Sequence, residues 1–202
     1  SQKESQEERS PPDPGIPWDR NFLHGSHSRH SLTYHFNIHH CLLFSESMFK
    51  PTKRIEGAHE EGIWAVKWKG ESICTGSLDG TVRHWQSNLT LNATSNAKKL
   101  GITSLSILND FRSVVSCSQD SSIQIHSIDD LDSSETIHPG LLEAWTISTS
   151  PDDKIVAGGS QCGAVNMWSI QDKRKLTSFQ TGNKLVSDTA FNPVGDKLAA
   201  VG

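Results

Sequence analysis

Residues 75–85 read "TGSLDGTVRHW", a Ser-x-Asp-Gly turn standing one short strand ahead of a tryptophan. One copy would be only a hairpin, but the motif returns in altered form as "SCSQDSSIQIH" (116–126) and "AGGSQCGAVNMW" (157–168). Aligned on the turn, Ser77, Ser118 and Ser160 lie 41 and 42 residues apart. Ahead of each copy stands a second matching stretch, "IWAVKW" (63–68), "ITSLSI" (102–107) and "AWTIST" (144–149), and "VSDTAF" (186–191) opens a fourth unit. Turn signals such as "SPDDK" (150–154) and "NPVGDK" (192–197) lead into the apolar strands Ile155-Val156-Ala157 and Leu198-Ala199-Ala200. Each unit reads as strand, turn, strand, tight turn, strand, then a fourth strand such as Leu176 to Phe179.

Four short antiparallel strands in a unit of roughly 40–45 residues are the sequence signature of a β-propeller blade. Helical repeats of that length need apolar residues three and four apart, and these stretches lack that spacing. The predicted fold is all-β: an incomplete propeller over 48–202, with three blades and the start of a fourth in units 58–97, 98–139, 140–183 and 184–202.

The turn, with its tryptophan six residues after the aspartate, resembles the WD40 repeat. In that family a turn Asp, a Ser or Thr on the strand before it, a Trp on the next strand and a His from the preceding loop form a buried hydrogen-bond network. The resemblance assigns these roles to Asp79, Thr75 or Ser77, Trp85 and His59. The second unit keeps Asp120 but has His126 in place of the Trp, and the third keeps Trp168 but has Cys162 in place of the Asp. A buried carboxylate is costly unless it is fully paired, so such a network fixes the geometry of a blade.

"AHEEGIWAVKW" (58–68), "TGSLDGTVRHW" and "EAWTISTSPDDKIVAGGSQCGAVNMWSIQDKRK" (143–175) resemble, more narrowly, the WD-repeat subunits of the superkiller complex. In animals that family also serves the RNA polymerase II-associated factor complex. The resemblance implies a ring of about seven blades, of which this sequence is a fragment. It also implies a non-catalytic scaffold for protein-protein interaction. Such a scaffold holds a helicase and a tetratricopeptide-repeat partner together for mRNA decay in the cytoplasm, and joins a transcription-elongation complex in the nucleus. Other WD-repeat adaptors, such as a ubiquitin-ligase substrate receptor or a signalling scaffold, are the first alternative. Trp64 and Trp145 occupy equivalent positions where the first strands of their blades begin, the rim at which the family binds partners. Two readings stand for them: aromatic anchors for a partner, or packing between blades with Val66, Trp68 and Ile147.

Composition narrows the rest. Lys plus Arg total 19 against 23 Asp plus Glu, a net charge of -4, so no broad basic face is expected to hold nucleic acid through its phosphates. The four cysteines form no CxxC pair, which argues against a zinc knuckle or a secreted disulfide framework and favours a reducing compartment. No apolar run has the length of a membrane span. No Walker loop or dinucleotide fingerprint implies a cofactor. "GGSQCG" (158–163) fails the nucleophile-elbow spacing at Cys162, and a cysteine site pairing Cys162 with His138 or His126 competes with a simple turn role. "QDKRKL" (171–176) holds the basic cluster Lys173, Arg174 and Lys175, which reads as a solvated hairpin tip or as a weak import signal.

Residues 1–47 differ in kind. The polar "SQKESQEERSPPDPG" and the histidine-rich "HGSHSRHSLTYHFNIHH" show no sustained periodicity, so this arm is expected to be disordered. His24, His27, His30, His35, His39 and His40 with Cys41 match no paired-ligand template, although a metal-dependent enzyme using this arm is the remote alternative. The first methionine is Met48, directly before the ordered pattern, which suggests a natural start there and a non-native leader before it.

Overall fold

The computed structural model describes residues 41–44, 51–96, 100–140 and 142–202. Strands β1 (Cys41–Phe44) and β2 (Pro51–Ile55) form an antiparallel pair. The first complete sheet is β3 (Ile63–Lys69), β4 (Ser72–Ser77), β5 (Val82–Gln86) and β6 (Leu91–Thr94), paired in chain order. The second is β7 (Ile102–Ile107), β8 (Ser113–Ser118), β9 (Ile123–Ser127) and β10 (Ser134–Ile137), and the third is β11 (Thr146–Thr149), β12 (Ile155–Gly159), β13 (Ala164–Ser169) and β14 (Lys175–Gln180). β15 (Asp188–Phe191) and β16 (Leu198–Val201) pair as a further two-stranded sheet. Among the described residues there is no helix. Among the described residues these strands make three complete four-stranded blades, the all-β propeller units that the repeat predicts.

The first strand of each blade packs against the first strand of the next, β3 on β7, β7 on β11 and β11 on β15. The blades therefore stand face to face, and their cores lie between sheets. Cys74 and Val82 of the first blade close on Ile102, Leu105 and Ile107 of the second. Val115, Cys117, Ile123 and Ile137 of the second close on Ala144, Ile147, Val156 and Trp168 of the third. Each blade thus has a leading face, carried by its first strand, and a trailing face that receives the next blade.

Hydroxyl groups lock the first strands together beside these cores. Ser106 and Thr149 share a hydrogen bond of 2.8 Å, Ser148 and Thr189 one of 3.1 Å, and the Thr103 hydroxyl donates to the Trp145 carbonyl at 2.7 Å. A strand whose second face meets another blade cannot leave polar groups unpaired there, and the Ser/Thr content of "ITSLSI" and "TIST" satisfies that condition.

One expectation needs correction. The arm taken to be disordered through residue 47 contains β1, because the consecutive Cys41-Leu42-Leu43-Phe44 form a short strand that pairs with β2. A four-residue apolar run is easily overlooked inside a polar segment. The rest of the arm, its histidines from His24 to His40 and Met48 all lie outside the described residues.

Leu105 is fully buried between blades, so Leu105→Ala should lower stability by about 2–5 kcal/mol in urea denaturation. Val194→Ala, at a turn residue that is 80% exposed, should stay within about 0.5 kcal/mol of the parent. Equal effects at the two positions would contradict the face-to-face packing.

Candidate functional site

The first blade is fixed by a hydrogen-bond relay that runs through its core to the turn between β4 and β5. The Trp85 indole donates to the Thr75 hydroxyl at 2.9 Å. Thr75 in turn lies 2.7 Å from His59 Nε2; because the ionised Asp79 carboxylate beside Nδ1 can only accept, Nδ1 holds the proton of the neutral ring and Nε2 accepts from the Thr75 hydroxyl. His59 Nδ1 then carries the ring proton and donates to Asp79 Oδ2 at 3.1 Å. Asp79 also accepts from the Glu60 amide, the Thr81 amide and the Thr81 hydroxyl, at 3.0, 2.8 and 2.7 Å. Gly80, at φ +80°, closes this turn in a conformation that side chains disfavour.

Electrostatics follow from that geometry. Burial pushes the Asp79 carboxyl up, but its bonds to Thr81 and Glu60 and the adjacent His59 outweigh this and hold its pKa at about 2. Burial lowers the pKa of His59 despite the neighbouring Asp79, so the ring is neutral and suits its place in the relay. Ser77 stands outside the relay: its hydroxyl donates to the Glu61 carbonyl and accepts the Asp79 amide, which caps the turn.

The later blades divide this arrangement. In the second, Asp120 accepts from the Ser118 hydroxyl at 2.7 Å and the Ser122 amide at 2.9 Å, with no histidine beside it. His126 stands at the tryptophan position. Its Nδ1 donates to the Leu131 carbonyl at 2.8 Å, and its Nε2 accepts from the Ser116 hydroxyl at 2.9 Å. Sequence reasoning noted His126 as a departure but missed that Ser116, in the place of Thr75, gives it a partner; the shared interval of 41 residues was the available signal. In the third blade Trp168 is buried against Gly158, where an added Cβ would come within 2.8 Å of the indole. There the Ser160 hydroxyl, accepting the Cys162 and Ala164 amides at 3.1 and 2.9 Å, replaces the turn carboxylate. Cys162 is exposed on this turn, far in sequence from the buried thiols of Cys74 and Cys117, which burial raises to about 12.

Trp64 and Trp145 sit at β-bulges. The register of β3 on β4 shifts between Ile63 and Ala65, and that of β7 on β8 shifts between Ile102 and Ser104. At the start of β11 the Trp145 and Thr146 positions both face Gly159. A bulge turns its extra residue away from the regular faces of the strand. Trp64, Thr103 and Trp145 are the residues so displaced in three successive blades. The two indoles meet edge to face, with centroids 5.9 Å apart. Trp64 remains 52% exposed and belongs to none of the interblade cores. The pair, Trp64 exposed and Trp145 half-buried, lies on the end of the blades where the His59–Asp79 relay also lies.

The basic cluster is largely neutralised. Lys173 pairs with Glu135 at 2.7 Å, Lys175 with Glu143 at 2.9 Å and Arg174 with Asp172 at 3.5 Å. Among the described residues no group of three His, Cys, Asp or Glu side chains is arranged to hold a metal ion.

A blade of four antiparallel strands repeated face to face, with the Trp-Thr-His-Asp relay in its turn, defines a WD-repeat propeller. The WD40 family profile (WD domain, G-beta repeat) matches residues 49–86 and 89–127, and the chain is a WD40-repeat protein. It is similar to WD repeat-containing protein SL1-17 of Schistosoma mansoni, with 35% identity over 153 residues, 71% of this chain and 50% of that protein. It also resembles WD repeat-containing protein VIP3 of Arabidopsis thaliana, at 28% over 169 residues, 73% of this chain and 52% of that protein. Superkiller complex protein 8 of Dictyostelium discoideum matches at 36% over 95 residues, 45% of this chain and 30% of that protein. The chain spans about half the length of the first two relatives and less of the third.

The relay makes stability depend on pH. His59 titrates lower in the fold than the ordinary 6.5, so the unfolded chain takes up protons first and stability falls as pH drops below about 6.5; His84, also lowered by burial, adds to this. Asp79 acts further down: its contribution, about 2 kcal/mol, is present above pH 3.8 and is lost as pH falls towards 2. Urea midpoints measured across pH 7 to 2 should show both declines, and Asp79→Asn should shrink the lower one, leaving the part that comes from Asp110, Asp120, Glu143 and Asp152, whose pKa values are also lowered in the fold. An unchanged lower decline in that variant would contradict the assignment.

Proposed function

We propose that this chain is a non-catalytic scaffold that holds other proteins together through the exposed rim of its blades. WD40 domains mediate protein-protein interaction, and the polar residues traced above serve the fold: the relay secures the first blade, and the thiols of Cys74 and Cys117 are buried in the interblade cores. The observation that carries the reading is the edge-to-face pair of Trp64 and Trp145. An exposed Trp64 ring held against a half-buried Trp145 on neighbouring strands fits an interface anchor, where such residues contribute most of the binding energy.

The particular assembly is the superkiller complex, with its helicase and tetratricopeptide-repeat subunits as partners in cytoplasmic mRNA decay. The same chain would serve the polymerase-associated factor complex in the nucleus. This finer reading rests on the resemblance of residues 58–68, 75–85 and 143–175 and on the name of the Dictyostelium relative. The net charge of -4 suits protein partners better than direct nucleic-acid contact.

Affinity capture of the tagged chain from cells, with identification of its companions by mass spectrometry, should recover the helicase and tetratricopeptide-repeat subunits. Trp64→Ala and Trp145→Ala should each weaken that capture by at least ~10-fold, about 1.4 kcal/mol, while leaving the thermal transition in place. Recovery of ubiquitin-ligase components instead would assign the chain to another adaptor class. Capture that both variants leave unchanged would remove the rim from the account.

A further inference from the structure

At the end of β4 and β5 remote from the relay turn, the first blade borders a cavity of about 430 Å³. Small-molecule sites fall in the range of roughly 300–1,000 Å³. Cys74 pairs with His84 and Ser72 with Gln86, and alternate pairs of a ladder share a face. Ser72, His84 and Gln86 therefore stand on the face that Cys74 turns toward the second blade, at a junction inside the described chain. Asn92 is the extra residue of a bulge where β6 meets β5, and it too lines the cavity. Glu71, from the turn before β4, and Ser87 and Asn88, from the turn after β5, complete the wall, and the Ser87 hydroxyl donates to Glu71.

His84 sets this junction apart. It follows Val82 by two residues, as Ile125 follows Ile123 and Met167 follows Val165. Ile125 packs on the core of the next junction. The repeat thus carries an apolar side chain at this position, where the first blade has an imidazole that is 4% exposed. A buried polar ring in place of an apolar one is costly unless it is paired. The Ile128 carbonyl can only accept, so His84 Nδ1 carries the proton and donates to it at 3.1 Å. Burial lowers the pKa of the ring and keeps it neutral, so Nε2 accepts from the Ser72 hydroxyl at 3.2 Å. The Ser72 oxygen is left as an acceptor on the cavity wall, and the Asn92 carboxamide lies 3.4 Å from His84 Nδ1.

The lining selects one class of ligand. Among the described residues around the cavity there is no lysine, arginine or apolar side chain, so an anion would meet no counter-charge and a hydrophobic molecule no matching surface. Two hydroxyls, three carboxamides, one carboxylate and a neutral imidazole present donors and acceptors together. We propose that the cavity binds a neutral polyhydroxylated molecule, a mono- or disaccharide, whose hydroxyls donate and accept in the same mixture. Glu71 and Ser72 accept from the sugar hydroxyls. The carboxamides of Gln86, Asn88 and Asn92 donate to them; Asn88 Oδ1 already accepts the Thr90 amide at 2.8 Å, which leaves its NH₂ group for the ligand. The site stands apart from the Trp64–Trp145 pair and is independent of the partners proposed above.

Titration of the nitrogen-15-labelled 202-residue chain with glucose, maltose and trehalose, read at the side-chain amide resonances of Gln86, Asn88 and Asn92, tests this directly. At least one sugar should shift those resonances saturably, and inorganic phosphate should leave them in place. His84→Leu, which restores the apolar residue of the other blades, should abolish the response of all three carboxamides. Asn92→Ala, at an exposed position, should weaken binding by about 10-fold, the loss expected for one hydrogen-bonding side chain, and carries the test should His84→Leu not fold. No saturable shift with any of the three sugars up to their solubility limits would overturn the proposal. So would an equal response to phosphate, or sugar binding that the folded variants retain unchanged.

Discussion

Everything in this fold depends on one constraint: a four-stranded blade has two faces, and it cannot bury either of them alone. The apolar residues of β7 are covered only because Cys74 and Val82 of the preceding blade lie against them, and those of β8 and β9 only because Ala144 and Ile147 follow. The hydrophobic contribution, roughly 25 cal/mol per Å² of apolar surface removed from water, therefore arises at the junctions and not within a sheet. Repeat proteins gain their stability from neighbour contacts in this way. The interval of 41 or 42 residues is the length of chain that carries one such pair of faces from one junction to the next.

The polar groups serve the same geometry. The relay from Trp85 through Thr75 and His59 to Asp79 ties the loop before β3 to the turn after β4, so the start of the first strand is held in place. The second and third blades lack that histidine and hold their turns through Ser118 with Asp120 and through Ser160. The chain thus uses three local solutions to one problem, the closing of a tight turn beside an interblade core. The bulges at Trp64, Thr103 and Trp145 lie at the ends of strands fixed in this way, and the aromatic pair gains its rigidity from them.

Much of this was legible in the sequence, because spacing and turn chemistry are local. "ITSLSI" marks β7 residue for residue, and the strand expected at Leu176 to Phe179 lies within β14. His59, Thr75, Asp79 and Trp85 are brought into one network, and the glycine turn after Asp79 announces it. What depends on distant residues was not legible. Ser77 and Thr75 were equal candidates until the register of β4 placed Thr75 opposite Arg83, two residue pairs from Ile73 and Trp85 and so on the same face. The meeting of Trp64 with Trp145 joins two different blades and follows a register shift in β3, neither of which has a signature in a single stretch. β1 went unnoticed because its pairing partner, not its composition, makes it a strand.

The central claim is that each repeat is stabilised by its neighbours, and the most direct measurement compares one repeat alone with the whole chain. Residues 100–140 carry the second blade, which is covered on both faces in the intact molecule. Expressed in isolation and followed by amide dispersion in a nitrogen-proton NMR spectrum, that segment should be unfolded, while the full chain under the same conditions shows dispersed strand resonances. A well-dispersed, cooperatively melting segment would contradict the account, because a blade that folds alone owes nothing to the faces on either side.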